Sequence, residues 1–266
     1  MLTSTRSAHV ARLRRLHERK GRQQSGTFLA EGPDCVEAAI AAGWVREVVA
    51  VPDHPLATQA AAAGIEVHQA DARVVAAICD AVNPQGIVAE CSIPLAAVDH
   101  VVAADGPVVI CDGLADPGNL GTIVRTAEAV GASGVITTRG SVDTWNPKVV
   151  RASAGSLFRV PVVQVAAASD AIEAVQAAGW TVVALTADAA ATVFDVIDEC
   201  RDRGVLAERL AWLVGSEAHG VSPAALESSD LQARIPMRPA VESLNAAISV
   251  AVCLYCAEGR RPTGDT

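Results

Sequence analysis

Six short apolar runs recur between residues 108 and 235: 108–111, 134–137, 160–165, 181–185, 211–214 and 233–235. They are rich in Val, Ile and Leu and too short for buried helices, so they read as strands covered on both faces. Segments of helical character over 122–130, 147–157 and 169–178 separate several of them. This alternation predicts an α/β fold with a mostly parallel sheet and helices on both faces. Ligands in such sheets sit beyond the carboxyl ends of the strands. Two of the runs open into suggestive loops there. The run 211–214 leads into Gly215, Ser216, Glu217 and Gly220, and 233–235 leads into Pro236, Met237 and Arg238. The polar triplet Ser243-Leu244-Asn245 then starts a last apolar helix to about residue 256.

The first third of the chain predicts a smaller α/β unit. A helix over 4–20 places Val10, Leu13 and Leu16 on one face. Strands follow at 27–30, 45–51, 65–68 and 86–89, with helices at 33–42, 55–63 and 72–79. Residues 93–106 are Ala-rich and contain Pro94, and read as a linker. The predicted organisation is a basic arm (1–25), a small domain (26–92), the linker (93–106), a large domain (107–261) and a tail (262–266).

Charge, cysteine and hydropathy narrow the function classes. The net charge is −9, yet residues 1–25 carry Arg6, Arg12, Arg14, Arg15, Arg19, Lys20 and Arg22 against Glu18 alone. Screening confines each charge to about 8–10 Å, so a basic arm on an acidic body can still grip phosphates. A solvated helix face explains the same charges equally well. The seven cysteines lack framework spacing and fit a reducing cytoplasm. Cys253 and Cys256 form a CxxC without a second ligand pair, and read as core residues of the last helix, with no metal implied. No uncharged apolar stretch is long enough for a membrane span, and the Arg-rich start lacks the apolar core of a secretory signal.

The loop 112–121, DGLADPGNLG, is not a dinucleotide fingerprint: it lacks the G-x-G-x-x-G spacing, and no acidic residue ends a second strand about 20 residues on. It does bring Asn119 to a helix start and Arg125 six residues further. Helix N-termini favour anions and Arg forks onto phosphate. A helix-capping Asn and a surface Arg account for the spacing as well.

Three motifs occur in order: Asn119-x-Gly121-x-x-x-Arg125, Gly215-Ser216-Glu217-x-x-Gly220, and Ile235-Pro236-Met237 with Ser243-Leu244-Asn245. Together they resemble the SpoU-type RNA ribose 2′-O-methyltransferases of the SPOUT superfamily. The resemblance implies an L30e-like substrate-binding domain at the N-terminus and a SPOUT methyltransferase domain with a deep trefoil knot. It implies S-adenosyl-L-methionine as cofactor, held by Leu185, Thr186, Leu213, Gly215, Ile235, Met237, Leu244, Asn245 and Ala246. It makes Arg125 the catalytic arginine, with Asn119, Glu217, Ser243 and Asn245 positioning RNA and cofactor. It also implies a homodimer with sites at the interface, to which the last helix could contribute.

Arg normally stays charged, so Arg125 suits phosphate binding and support of a nascent 2′-alkoxide better than proton removal. Ser243 doubles as a candidate N-cap for the final helix. His219 reads as a bystander. Candidate RNA contacts are Arg12, Arg15, Arg19, Arg22, Arg125, Lys148 and Arg151. The L30e-like domain favours 23S rRNA as substrate, with tRNA second. A non-catalytic RNA-binding relative and a small-molecule α/β enzyme with a nucleotide cofactor stay open as other classes.

Overall fold

The computed structural model describes residues 1–241 and 243–259. These divide into two compact units, one of Met1–Leu95 with Asp143–Arg159, the other of Ala96–Val142 with the described residues from Val160 on. In chain order the elements begin with α1 (Ala8–Arg14), α2 (Arg19–Ser25), β1 (Thr27–Glu31), α3 (Pro33–Ala41), β2 (Val45–Ala50), α4 (Pro55–Ala62) and β3 (Glu66–Gln69). They continue with α5 (Ala72–Ile78), β4 (Ile87–Ser92), α6 (Val98–Val102), β5 (Val108–Asp112), α7 (Pro117–Ala129), β6 (Gly134–Thr138) and α8 (Pro147–Ala152). Next come β7 (Val162–Val165), α9 (Ala168–Ala177), β8 (Thr181–Leu185), α10 (Val193–Asp202), β9 (Leu210–Gly215), α11 (Pro223–Ser228), β10 (Leu231–Ala233) and α12 (Ala246–Glu258).

The first unit is built on a 4-stranded sheet in the order β1-β4-β2-β3. β4 runs antiparallel to β1 and β2, and β2 runs parallel to β3. Neighbouring residues of a strand face opposite sides, and β1 shows the consequence. Leu29 joins Val49 and Val88 in a cluster with Val10, Leu13, Leu16, Val74, Val75 and Ile78. Phe28, on the other side, lies 4.8 Å from the Trp145 ring and 5.9 Å from Phe158, whose ring is 5.3 Å from Trp44. The segment 143–159 thus completes the second face of this sheet, although it is remote in sequence.

The helix predicted over 4–20 breaks in two. A 3-10 turn at Arg15–His17 ends at Glu18, which is extended, and α2 starts afresh. A Cβ at Gly21 would lie 2.0 Å from the Arg15 carbonyl oxygen, so only glycine lets α2 turn back against the chain before it. The buried Arg22 then binds Asp143 through Nε (2.9 Å) and Nη2 (2.5 Å), while its Nη1 donates to the carbonyls of Leu16 and His17.

The second unit has a 6-stranded, all-parallel sheet in the order β10-β8-β9-β5-β6-β7. From β5 the chain builds outward through β6 and β7, then returns to the opposite side for β8, β9 and β10. The direction of winding therefore reverses between β5 and β9. Ile110, Ile136, Val182, Ala211 and Leu213 are wholly buried against α9 and α11.

Three local differences from the sequence pattern have simple causes. The linker contains α6, because Val98, Val101 and Val102 share a helical face and Val101 is buried in this core. Helix α7 starts at Pro117, capped by Asp116 accepting from Asn119 N at 2.8 Å, so half of the predicted loop is helical. Helix α10, unpredicted, is capped by Thr192 and buries Val193, Val196, Ile197 and Cys200 among charged neighbours.

Candidate active site

A cleft of about 630 Å³ lies beyond the carboxyl ends of β8, β9 and β10. Leu185 and Thr186 line it after β8, the turn from Gly215 to Val221 after β9, Ile235 and Met237 after β10, and Ser243, Leu244, Asn245 and Ala246 at the start of α12. All the cofactor residues drawn from the resemblance are therefore brought together except Leu213. That side chain is wholly buried inside the sheet, opposite Ile110 and Ala184 on neighbouring strands, and packs the core beneath the cleft. Asp188, His219, Arg234 and Ser249 also line the cleft and were not singled out as lining residues. Their only sequence signal is nearness to a strand end or to the start of α12.

The loop after β9 is tight. Ser216 N donates to Gly220 O at 3.0 Å, and Gly220 N donates back to Ser216 O at 2.9 Å. A Cβ at Gly215 would lie 1.8 Å from the Gly220 carbonyl carbon, and Gly220 has φ +69°. Both glycines are thus required by the backbone, at the close approach and at the left-handed turn. His219 N donates to Ser216 Oγ at 3.1 Å, adding to the closure. Behind it, Asp112 accepts from Ser222 N (3.0 Å) and from Thr138 Oγ1 (3.3 Å), tying the loop's end to β5 and β6.

The turn carries Glu217 to the N-terminal end of α7. Its Oε2 accepts from Ala115 N at 3.1 Å, and its Oε1 accepts from Asp116 N at 3.2 Å and from Asn119 Nδ2 at 2.7 Å. Asn119 Oδ1 accepts from Asn245 Nδ2 at 2.9 Å. Asn245 Oδ1 then caps α12, accepting from Ala247 N (3.0 Å) and Ile248 N (3.2 Å). The relay fixes its own amide orientations. Asn245 must present oxygen to two backbone donors, and a carboxylate can only accept, so each amide nitrogen has one direction to face. Burial pushes the Glu217 carboxyl upward, but the hydrogen bonds from the Asn119 amide and from the backbone of Glu217, Ala115 and Asp116 outweigh it. The net effect holds Glu217 below the usual carboxylate range and charged.

The N-cap of α12 is Asn245, not Ser243, because the helix begins two residues later than the sequence pattern suggests. Ser243 stays exposed on the cleft wall. Arg125 is exposed, is absent from the cleft lining, and has no hydrogen bond or ion pair among the described residues. Six residues of helix put Arg125 about 120° around α7 from Asn119, so the relay and the arginine face different ways.

The other basic candidates divide by availability. Arg15, Arg19 and Lys148 are exposed without a partner among the described residues. Arg12 pairs with Glu47 and Glu90, and Arg151 with Glu31 and Asp80. Arg22 is 2 % exposed and wholly committed to Asp143 and two carbonyls, so its reading as an RNA contact is withdrawn: a guanidinium satisfied inside the protein has no donors left for phosphate. Cys253 is buried in α12, where burial pushes its thiol pKa up, consistent with packing.

The chain is similar to known proteins along nearly its whole length. Residues 106–255 match the family model described as the SpoU rRNA Methylase family, and residues 7–89 match the MRM3-like substrate binding domain. The 23S rRNA (guanosine(2553)-2′-O)-methyltransferase of Bacillus subtilis is 30% identical over 97% of this chain and 99% of its own length. A Synechocystis protein described as an uncharacterized tRNA/rRNA methyltransferase is 35% identical over 98% of this chain and 93% of its own. Among solved structures, the AdoMet-bound rRNA methyltransferase from Sinorhizobium meliloti aligns with a TM-score of 0.83 at 30% identity, covering 97% of both chains.

Proposed function

The chain belongs to the SpoU rRNA methylase family, and from that premise we propose that it methylates a ribose 2′-hydroxyl of 23S rRNA, with S-adenosylmethionine as the methyl donor. The observation that carries this reading is the Glu217–Asn119–Asn245 relay at the edge of the cleft, which holds the starts of α7 and α12 to the loop after β9.

The cleft fits the cofactor. Its size lies within the usual range for small-molecule sites, roughly 300–1,000 Å³. Leu185, Ile235, Met237, Leu244 and Ala246 offer apolar walls for a purine. Glu217 stays anionic, with no cationic partner among the described residues, beside the space a positively charged donor would occupy. When bound, S-adenosylmethionine supplies an electrophilic methyl group on a sulfonium. The chain's own contribution is position and charge. The relay fixes the cleft wall, and alignment of reacting atoms lowers a barrier by several kcal/mol. Arg125, always charged, grips the phosphate next to the reacting ribose and steadies the negative charge that grows on its 2′-oxygen.

The family fold extends this reading to finer features. The N-terminal unit is L30e-like, the C-terminal segment after β9 threads a trefoil knot around the cleft, and the enzyme works as a homodimer. Supporting the dimer, Leu244 just before α12 and Ile248 and Tyr255 on it, two turns apart, are 38%, 48% and 52% exposed. A partner seated there would complete the site by bringing Arg125 of one copy towards the cleft of the other. Ile248→Glu should then yield monomers in light scattering and abolish methylation; an unchanged dimer would place the interface elsewhere. The unpaired cysteines fit a cytoplasmic enzyme, and no helix among the described residues is long and apolar enough to cross a membrane.

The direct test incubates purified protein with radiolabelled S-adenosylmethionine and unmodified 23S rRNA or tRNA. Label at one 23S nucleotide whose 3′ linkage resists alkali is the expected result. Label in tRNA alone would overturn the substrate, and absence of cofactor binding would overturn the activity.

A further inference from the structure

We propose that the N-terminal unit holds a divalent transition-metal site, of the kind Zn²⁺ occupies, made by His9 on α1, Glu47 on β2 and His68 on β3. Glu66 stands beside it as a fourth ligand. Nothing in the sequence spacing announces it, since the ligands come from three separate elements.

The geometry suits a metal. One ligand atom from each of His9, Glu47 and His68 lies within 4.8 Å of the others. His9 Nε2 is 3.1 Å from Glu47 Oε1, His68 Nε2 is 3.3 Å from Glu47 Oε2, and His68 Nε2 is 3.3 Å from Glu66 Oε1. A tetrahedral Zn²⁺ with bonds of about 2.0–2.1 Å sets neighbouring ligand atoms about 3.3 Å apart. Imidazole and carboxylate together are a donor set this ion favours.

Two further observations point to a cation as the occupant. First, the sheet register places three carboxylates in a row: Glu47 on β2 is paired with Glu66 on β3 and with Glu90 on β4. Like charges directly across strands repel. Arg12 neutralises the Glu47–Glu90 side of the row. On the Glu66 side, among the described residues, only the two imidazoles face the carboxylates. Three carboxylates against one guanidinium leave a charge that a divalent ion balances. Second, His9 Nε2 is buried and makes no hydrogen bond, although Glu47 is near. A buried polar atom of this kind is costly unless something pairs with it, and metal ligation would satisfy it. Bound there, the ion would clip α1, a helix of 7 residues, to the sheet.

The test is a Co²⁺ titration of chelator-treated full-length protein, followed by displacement with Zn²⁺. One Co²⁺ per chain is expected, with the intense visible absorption of tetrahedral nitrogen and oxygen ligation. Saturating Zn²⁺ at about one hundred times its Kd should raise Tm by roughly 5–10 °C. His9→Gln and His68→Gln should each weaken binding by about a hundredfold or more, with unchanged far-ultraviolet circular dichroism. On the unmodified protein, Zn²⁺ should shift the imidazole nitrogen resonances of His9 and His68, a readout independent of any variant's folding. The proposal is overturned by no binding at about 100 μM metal, by imidazole resonances that do not move, by variants that bind as tightly as the unmodified protein, or by a sulfur-to-cobalt charge-transfer band marking the cysteines as ligands.

Discussion

In the N-terminal unit the buried carboxylates meet cations: Glu47 and Glu90 meet Arg12, and Glu31 meets Arg151, while the half-buried Asp143 meets Arg22. In the C-terminal unit Glu217 meets two backbone N–H groups and the neutral amide of Asn119. Both arrangements fasten elements that are distant in sequence. They differ in what they leave behind. An ion pair spends its charges on each other, so its value is mechanical. A carboxylate held by neutral donors keeps its charge and projects it into the cleft. The first arrangement suits a scaffold and the second suits a site.

The largest effect should come from breaking a scaffold pair. Arg22→Met strips Asp143 of its partner and frees two carbonyls, and should cost about 3–5 kcal/mol in urea unfolding. A loss under about 1 kcal/mol would show that the pair does not hold α2 to segment 143–159. Arg125→Ala should behave in the opposite way. It is exposed and unpartnered, so Tm should stay within a degree or two, whereas kcat should fall about 10²–10³-fold, the usual cost of removing a charge-stabilising donor. Equal activity of the two proteins would remove Arg125 from the chemistry.

A smaller change is expected at Glu217. Glu217→Gln keeps the shape but turns one acceptor into a donor facing the N–H groups of the α7 start. Cofactor affinity should drop about tenfold, or roughly 1.4 kcal/mol, measured by calorimetry. If Asn119→Ala and the double variant lose no more than Glu217→Gln alone, the relay acts as a unit; simple additivity would break it into separate contacts.

The finest distinction is in pH. Because the folded state lowers the Glu217 pKa, its contribution is fully present above the unfolded value and is lost only as pH falls through the lower folded value. Cofactor binding should therefore stay level as pH drops through the ordinary carboxylate range and weaken only below it. A titration centred at the ordinary value would mean that the hydrogen bonds to Glu217 are not made in solution.

Much of this was legible in the sequence, unevenly. Val and Ile runs of strand length declared the parallel sheet, because covering both faces of a strand demands continuous apolarity. Glycine at 215 and 220 and asparagine at 119 and 245 were visible as motif positions. Helix α10 is weakly written in the sequence, since its apolar residues are spread among charges and carry a weaker pattern than the strands. Arg22 looked like its basic neighbours, and only packing distinguished it.

The sequence by itself determined which segments become strands and helices and which loops open at strand ends, since propensity, apolar period and glycine act over a few residues. Tertiary structure alone decided the partners. It set Asn119 against Asn245 and Glu217, seated segment 143–159 on the first unit's sheet, buried Leu213 beneath the cleft, and aligned Glu66, Glu47 and Glu90 across three strands with His9 and His68 alongside. Those contacts join residues far apart along the chain, and chain spacing carries no record of which ends of which elements the packing of two cores will bring together.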